Sequence, residues 1–225
     1  MFKKLGRILM KEKLKEYGIN IQNESLLRTA LTHSSYSNEH GTENYERLEF
    51  LGDAVLELVT SEYFFLNTNY NEGKMSKVRA SYVCEEALYE YAKDISLSKY
   101  ILVGHGQEKD VNSTIIADVF ESVLAVIYLE NGLSVVKKFI LDLILPYIEK
   151  DVQFMYDYKS LLQEMVQTDK KSLEYVLVSE TGPAHKKCFT VEVRIDNLVY
   201  GKGSGSSKKE AEQKAAKDAY QKSSK

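Results

Sequence analysis

Apolar residues recur every three or four positions through roughly the first 150 residues of the chain. The pattern is clearest in the segments 26–31, 48–59, 78–91 and 119–127. Because this spacing places apolar side chains along one side of an α-helix, these segments predict helices that share a core. Beyond that region the period changes to two, and Phe189, Val191, Val193 and Ile195 alternate with polar residues. Such alternation is typical of a half-buried β-strand.

The C-terminal part of the pattern predicts a helix, three strands and a second helix. Turn-forming residues separate the strands, at Thr181-Gly182-Pro183 and at Asp196-Asn197. The predicted elements are helix 158–167, strands 173–180, 187–195 and 198–203, and helix 207–221. The expected fold class is α+β multidomain: an all-α domain over residues 1–150, a polar linker over 151–156, and an α-β-β-β-α domain over 157–225.

Charge divides the chain at the same place. Residues 157–225 contain 13 Lys and Arg against 10 Asp and Glu, a net charge of +3, while the whole chain carries −3. The C-terminal module is therefore basic and suits an acidic partner such as nucleic acid, although the overall pI of about 5.9 conceals this. An apolar content of 44% with 28% charged residues excludes a wholly disordered chain.

The expected compartment is the cytoplasm. Basic residues interrupt the first 20 positions, and charged residues and Pro146 interrupt the apolar segment 135–148, so neither a signal peptide nor a membrane span is expected. The only cysteines, Cys84 and Cys188, are more than 100 positions apart. A reducing environment without structural disulfides follows from that spacing.

Two acidic clusters lie inside apolar helical segments. Glu46, Glu49 and Asp53 are three and four residues apart, so an α-helix directs them to the same side. Asp118 and Glu121 repeat the arrangement on a second predicted helix. Two such helices can build the all-oxygen site that magnesium prefers, with waters and a substrate phosphate completing the coordination. Ordinary solvated or salt-bridged surface acids remain the alternative.

A Gly/Ser segment precedes the last predicted helix and suggests a phosphate contact. Residues 203–207 read Gly-Ser-Gly-Ser-Ser, and Lys208 with Lys209 follow in the first helical turn. Backbone N–H groups, the helix dipole and two ammonium groups can then converge on a phosphate. A flexible turn capped by Ser207 remains the alternative. A nucleotide P-loop fits poorly, because Gly-Lys-Ser/Thr does not occur.

The acidic segment 46–56, Glu-Arg-Leu-Glu-Phe-Leu-Gly-Asp-Ala-Val-Leu, resembles the acidic Gly-Asp helix of bacterial ribonuclease III. Segments 71–80 and 118–128 resemble later elements of that family, in the same order, whereas the loop Gly104–Glu108 departs from its pattern. The resemblance implies metal ligands at Glu49, Asp53, Asp118 and Glu121, and catalytic roles for Asp53, Glu121, Glu46 and Glu72. It also implies that Phe50 inserts into a partner subunit at a dimer interface.

The C-terminal module resembles the double-stranded RNA-binding domain. The matching segments are 157–164, 182–185 and 208–216. Proteins hold double-stranded RNA through minor-groove 2′-hydroxyls and phosphates, because its major groove is too narrow and deep for side chains to enter. The resemblance implies RNA contacts from the first helix, a strand loop and the start of the last helix: Gln163, Glu164, Gln167, His185, Lys208 and Lys209.

These resemblances predict a homodimeric endoribonuclease that hydrolyses both strands of double-stranded RNA. The expected cofactor is Mg²⁺, for which Mn²⁺ can substitute, and the expected products have 5′-phosphate and 3′-hydroxyl ends with a staggered cut. The expected substrates are ribosomal RNA precursors and structured messenger RNAs. The principal alternative is a double-stranded RNA-binding regulator that does not cut. A helical metal-binding regulator without RNA does not explain the basic module.

Overall fold

The computed structural model describes residues 2–106, 111–155, 158–168, 171–183 and 187–223. The chain divides into two compact units, residues 1–155 and 156–225. The division lies five positions beyond the expected end of the helical domain, which the sequence places at residue 150. Within the described ranges, none of the helices is both long and apolar enough to cross a membrane.

The first unit is helical, as the apolar pattern predicts. Helices α4 (Glu46–Asn67) and α7 (Ser113–Asn131) pack against each other, and nearly every residue of α7 from Ile115 to Ile127 is buried. The two exceptions are Asp118 and Glu121, which are partly exposed. The helices are α1 (Phe2–Lys15), α2 (Glu24–Ala30), α3 (Ser34–His40), α4 (Glu46–Asn67), α5 (Glu72–Tyr82), α6 (Glu85–Asp94), a 3₁₀-helix (Leu97–Tyr100), α7 (Ser113–Asn131) and α8 (Leu133–Glu149).

Asparagine residues begin three of these helices. The side-chain oxygens of Asn23, Asn71 and Asn112 accept hydrogen bonds from the backbone N–H three residues later, at distances of 2.9–3.0 Å. Such capping satisfies a backbone donor that has no partner within the helix. Helix α7 therefore begins at Ser113, five residues before Asp118, which places Asp118 and Glu121 within its first half.

The first unit extends beyond α8 because an aromatic ring holds the following segment in place. Phe154 lies within the range expected to be a linker, yet its ring packs near the rings of Tyr82, Tyr91 and Tyr147 at centroid distances of 5.2–5.9 Å. Aromatic rings at such distances contribute beyond the area they bury. The residues up to Met155 therefore belong to the helical unit.

The second unit contains the predicted order of helix, three strands and helix. Its antiparallel sheet has the strand order β1 (Leu173–Thr181), β2 (Cys188–Ile195), β3 (Leu198–Gly205). The alternating residues Val191, Val193 and Ile195 are buried against the helices, as predicted. Asp196 and Asn197 form the β2–β3 turn with φ of 49° and 66°, which favours Asn and Asp over other non-glycine residues. The elements are α9 (Tyr158–Thr168), β1 (Leu173–Thr181), β2 (Cys188–Ile195), β3 (Leu198–Gly205) and α10 (Lys208–Ser223).

The third strand runs two residues beyond its predicted end at Gly203, so part of the Gly/Ser segment 203–207 is strand and not a loop. Strand β3 continues to Gly205, so Ser206 and Ser207 alone connect it to α10. A Cβ at Gly201 would lie 2.6 Å from the backbone nitrogen of Ala219, and one at Gly203 would lie 2.5 Å from the carbonyl oxygen of Ala211. These glycines are therefore required for close contact between β3 and α10, not for a flexible turn.

Candidate metal centre and nucleic-acid interface

The packing of α4 on α7 brings the two acidic clusters together. Glu46, Glu49 and Asp53 lie on α4, while Asp118 and Glu121 lie on α7. The close approach of the helices depends on Gly52, because a Cβ there would overlap the backbone carbonyl of Glu121 and lie 3.1 Å from its Cα. The glycine beside Asp53 therefore places acids of α4 directly against those of α7.

Burial raises the pKa values of the four predicted metal ligands, and neighbouring acids raise them further. Burial is the main cause for Glu49, whose pKa is raised further by Asp118, Glu46 and Asp53. Burial likewise raises the pKa values of Asp53 and Asp118. The effect is largest at Glu121, where burial and the neighbouring acids raise the pKa to about 8. The five acids therefore form one electrostatically coupled cluster.

This cluster fits a hard divalent cation. The neighbouring charges with the largest effects on the pKa values of Glu49 and Glu121 are all acids. Carboxylate oxygens are the ligands that Mg²⁺ and Ca²⁺ prefer. Within the described ranges, no three His, Cys, Asp or Glu side chains already form a group able to hold a metal ion. The carboxylates would therefore have to turn toward a common ion.

A tyrosine that the sequence patterns did not single out contacts this cluster. The hydroxyl of Tyr45 donates a hydrogen bond to Oδ2 of Asp118 at 2.9 Å, across 73 positions of sequence. Burial and this hydrogen bond raise the pKa of Tyr45, and the same bond opposes the upward shift at Asp118. The ring of His33 lies 5.7 Å from that of Tyr45, and burial lowers the pKa of His33.

Glu72 lies on a different helix from the other predicted catalytic acids. It is the first residue of α5, and its Oε1 accepts a hydrogen bond from Ser76 at 3.1 Å. It is not among the charges that shift the pKa values of the four predicted metal ligands. Instead it lines a cavity of about 200 Å³ with Ser61, Phe64, Phe65, Met75, Ser76 and Arg79.

Helix α4 also carries exposed apolar side chains. Phe50 is 82% exposed, although Glu49 and Leu51 on either side of it are partly buried. Leu58 and Phe65 are 55% and 69% exposed and follow at intervals of eight and seven residues. Such intervals place the three side chains along one side of the helix. We call these three exposed side chains, Phe50, Leu58 and Phe65, the α4 apolar strip.

The loop Gly104–Glu108 is described as far as Gly106. The N–H of Gly104 donates to Oγ of Ser35 at 3.0 Å, and the N–H of His105 donates to Oε1 of Glu39 at 2.9 Å. Both acceptors lie on α3, so this helix holds the first half of the loop. Residues 107 and 108 lie outside the described ranges.

Two groups of predicted RNA contacts are exposed on the second unit. Gln163, Glu164 and Gln167 lie on the solvent side of α9, whereas Leu162 and Val166 on the same helix are buried. Lys208 and Lys209 are the first two residues of α10, and both are exposed. His185 lies outside the described residues.

Side chains around Lys208 and Lys209 hold the start of α10 in place. The N–H of Glu210 donates to Oγ of Ser207 at 3.2 Å. In return, Oε2 of Glu210 accepts from the backbone N–H and from the hydroxyl of Ser206, both at 2.7 Å. This is a reciprocal cap displaced by one residue from the usual capping box. The two lysines therefore project from a backbone that is fixed on both sides.

Comparisons with known proteins agree with both units. Residues 23–148 match the family model described as Ribonuclease-III-like, and residues 158–223 match the model of the double-stranded RNA binding motif. The first match includes α4 and α7 with all five clustered acids. The second includes α9, the sheet and α10.

Relatives match across most of the chain. Ribonuclease 3 of Listeria innocua is 49% identical over 215 residues, which cover 91% of this chain and 94% of the relative. Ribonuclease 3 of Onion yellows phytoplasma is 46% identical over 208 residues, covering 91% and 87%. The solved nuclease domain of ribonuclease III from Campylobacter jejuni is 34% identical with a TM-score of 0.56, covering 61% of this chain and 96% of that one. The chain therefore belongs to the ribonuclease III family of double-strand-specific endoribonucleases.

Proposed function

We propose that this protein is a homodimeric, Mg²⁺-dependent endoribonuclease that cuts both strands of duplex RNA. Each cut leaves a 5′-phosphate and a 3′-hydroxyl, and the cuts on the two strands are staggered. The observation that carries this proposal is the acidic cluster on α4 and α7, in which burial and neighbouring acids raise the pKa values of Glu49 and Glu121. The RNA-binding motif in the same chain supplies the substrate class.

Glu49, Asp53, Asp118 and Glu121 would hold the cation. A bound divalent ion supplies a water that is activated for attack and neutralises charge on the leaving oxygen. Mn²⁺ offers the same preference for carboxylate oxygen and can replace Mg²⁺. Glu49, Asp118 and Glu121 would be the principal ligands, and Asp53 would complete the site and orient the water. The exposed carboxylate of Glu46, at the first residue of α4, borders the same cluster and handles the scissile strand together with Glu72.

The second unit grips the duplex independently of its base sequence. Lys208 and Lys209 contact phosphates, and the position of both at the N-terminus of α10 adds the favourable end of the helix dipole. Gln163, Glu164 and Gln167 on α9 contact 2′-hydroxyls and base edges in the minor groove. His185 is assigned to the same interface from the sequence resemblance alone.

The dimer forms through the α4 apolar strip. An apolar side chain as large as Phe50 is costly to leave exposed, and its position beside Glu49 would bring the partner close to the acidic cluster. The related nuclease domain from Campylobacter jejuni is described as structurally flexible in a region involved in dimer formation, which supports assembly of this kind. Two subunits, each with one acidic cluster, would then cut one strand each.

The cellular substrates are ribosomal RNA precursors and structured messenger RNAs. Both contain duplex segments long enough for a protein that recognises the shape of A-form RNA. The protein acts in the cytoplasm. Support comes from the free cysteines Cys84 and Cys188, which are compatible with a reducing compartment.

The experiment that tests this function separates binding from cutting. Glu121→Gln keeps the size of the side chain but removes an anionic oxygen, while the RNA-binding unit is unchanged. This variant should bind duplex RNA like the wild type in gel-shift assays and leave it uncut in Mg²⁺. Glu62→Gln is the matched control, since Glu62 lies on α4 outside the cluster and pairs with Lys137 at 2.6 Å. It should cut normally.

The possible failures of this experiment are distinct. A wild type that leaves long duplex RNA intact in both Mg²⁺ and Mn²⁺ would refute the nuclease function and favour an RNA-binding regulator. Normal cutting by Glu121→Gln would refute the assignment of the metal ligands, although the protein would still be a nuclease.

A further inference from the structure

Asp118 receives a hydrogen bond that the other predicted metal ligands lack. The donor is the hydroxyl of Tyr45, 2.9 Å from Oδ2 of Asp118. Among the described residues, no side-chain or backbone hydrogen bond is found to the carboxylates of Glu49, Asp53 or Glu121. Asp118 is therefore the one member of this set whose orientation is held by a neighbouring group within the described part of the protein.

Tyr45 has a buried ring, and both its backbone N–H and its carbonyl group are hydrogen-bonded. Its ring side chain is buried, with 5% of the residue exposed, and its N–H donates to the carbonyl oxygen of Thr32 at 3.0 Å. Its carbonyl oxygen accepts from the N–H groups of Leu48 and Glu49 at 2.8 and 3.0 Å, which starts helix α4. The backbone that carries the phenol is therefore fixed at the beginning of the helix that carries Glu49.

A second polar contact joins the same two segments. Oγ of Ser122, a fully buried residue of α7, lies 2.8 Å from the carbonyl oxygen of Asp118 and 3.4 Å from that of Tyr45. The backbone of Asp118 is thus connected to the start of α4 through Ser122. The side chain of Asp118 is connected to it through the Tyr45 hydroxyl.

The chemistry of this contact suits a ligand that must present one oxygen. An ionised carboxylate has two oxygens, and a phenol that donates to Oδ2 leaves Oδ1 available as an anionic ligand. The phenol is neutral, so it stabilises the carboxylate without competing with a cation as Lys or Arg would. A hydrogen bond to a charged acceptor is also stronger than one between neutral groups.

We propose that Tyr45 is a positioning residue for the metal site, whose hydroxyl holds Asp118 in the orientation that presents its free oxygen to the cation. This inference rests on the metal-dependent nuclease function proposed above. The alternative is that Tyr45 only packs the start of α4 against the core. The two are distinguished by removing the hydroxyl while keeping the ring.

The test compares Tyr45→Phe with a matched variant elsewhere in the helical unit. Tyr147→Phe is suitable, because the hydroxyl of Tyr147 also donates to an aspartate oxygen, Oδ2 of Asp94, at 2.9 Å. Asp94 is not among the groups that shift the pKa values of the four predicted ligands. Both variants lose one phenol–carboxylate hydrogen bond, but only one loses it at the proposed site.

The first readout is the affinity of the RNA-free protein for Mn²⁺, measured by electron paramagnetic resonance. Tyr45→Phe should weaken Mn²⁺ affinity about tenfold, the size expected for a hydrogen bond to a charged group. Tyr147→Phe should leave the affinity unchanged. In a double variant, Tyr45→Phe should not weaken binding beyond the effect of Asp118→Asn alone, because both act through one carboxylate.

The second readout is cleavage of duplex RNA as the Mg²⁺ concentration is raised. Tyr45→Phe should need about tenfold more Mg²⁺ for half-maximal cleavage and approach the wild-type rate at saturation, with unchanged RNA affinity in gel shifts. Thermal unfolding should show both variants folded at the assay temperature, with the larger loss of stability in Tyr45→Phe because its hydrogen bond is the more buried of the two.

Wild-type Mn²⁺ affinity in Tyr45→Phe would overturn the proposal. A wild type that binds Mn²⁺ but does not cut would overturn the nuclease function, while the affinity of Tyr45→Phe would still decide the role of Tyr45. A wild type that binds no Mn²⁺ would overturn the metal site and the role of Tyr45 together.

Discussion

Replacing Gly52 by alanine should separate the two helices that carry the acidic cluster. The added Cβ would overlap the backbone carbonyl of Glu121 on α7. A backbone carbonyl cannot rotate away as a flexible side chain can. Because non-bonded atoms prefer separations of about 3.5 Å or more, α4 and α7 would move apart by on the order of 1 Å.

The expected cost follows from overpacking and is only partly offset. Inserting a methyl group into a tightly packed contact costs about 1–3 kcal/mol, and the upper end applies here because the neighbour is the backbone of α7. Replacing glycine by alanine inside a helix returns about 0.5–1 kcal/mol. A net loss of about 2 kcal/mol should lower the Tm of the helical unit by about 4–8 °C.

Thermal unfolding followed by circular dichroism, together with a cleavage assay, tests this prediction. Gly73→Ala is the control for stability: Gly73 lies in helix α5, and its added Cβ would meet nothing closer than 3.9 Å. That variant should raise the Tm slightly, whereas Gly52→Ala should lower it and also lose cleavage. An unchanged Tm and normal cleavage in Gly52→Ala would refute the dependence of the site on this contact.

Four further predictions concern the second unit and the dimer. Gly203→Ala should destabilise the RNA-binding unit by about 2 kcal/mol, measured by urea unfolding, because its Cβ would overlap α10. Hydrogen bonds to its carboxylate lower the pKa of Glu210 from 4.5 to about 2, so the stability it contributes is present above pH 4.5 and is lost as the pH falls toward 2. The difference in urea stability between wild type and Glu210→Gln should shrink across that range. Replacing Lys208 and Lys209 by alanine should weaken binding to every duplex alike and reduce the salt slope by up to about 2 units. Phe50→Ala should produce monomers in light scattering at concentrations where the wild type is a dimer, because the partner loses a large apolar contact.

Each of these predictions has a result that contradicts it. Gly203→Ala with wild-type stability would mean that β3 and α10 can separate freely. A difference for Glu210→Gln that persists at pH 2 would show that its contacts do not depend on charge. Loss of affinity for particular RNA sequences alone would exclude a phosphate role for Lys208 and Lys209. A fully dimeric Phe50→Ala would place the interface elsewhere.

Local sequence patterns were sufficient for the element order of both units. The 3.6-residue period depends on neighbours within one helix, so the helices around residues 48–59 and 119–127 could be predicted without knowledge of their partners. The period of two in β2 and the Asp196-Asn197 turn are local in the same way. The pairing of Glu49 with Asp53 and of Asp118 with Glu121 on their helices also follows from spacing alone.

Tertiary packing alone determined which of these groups meet. The contact between Tyr45 and Asp118 joins positions 73 residues apart, and no spacing rule relates them. No spacing rule relates Gly52 to the carbonyl of Glu121 either, although the two are in contact. Nor does spacing show that Glu72, on α5, lies apart from the other acids. The continuation of the third strand through Ser204 and Gly205 could not be predicted either, because Gly and Ser favour loops locally. It is decided by α10, whose residues approach Gly203 and Gly205 so closely that a Cβ would not fit at either position.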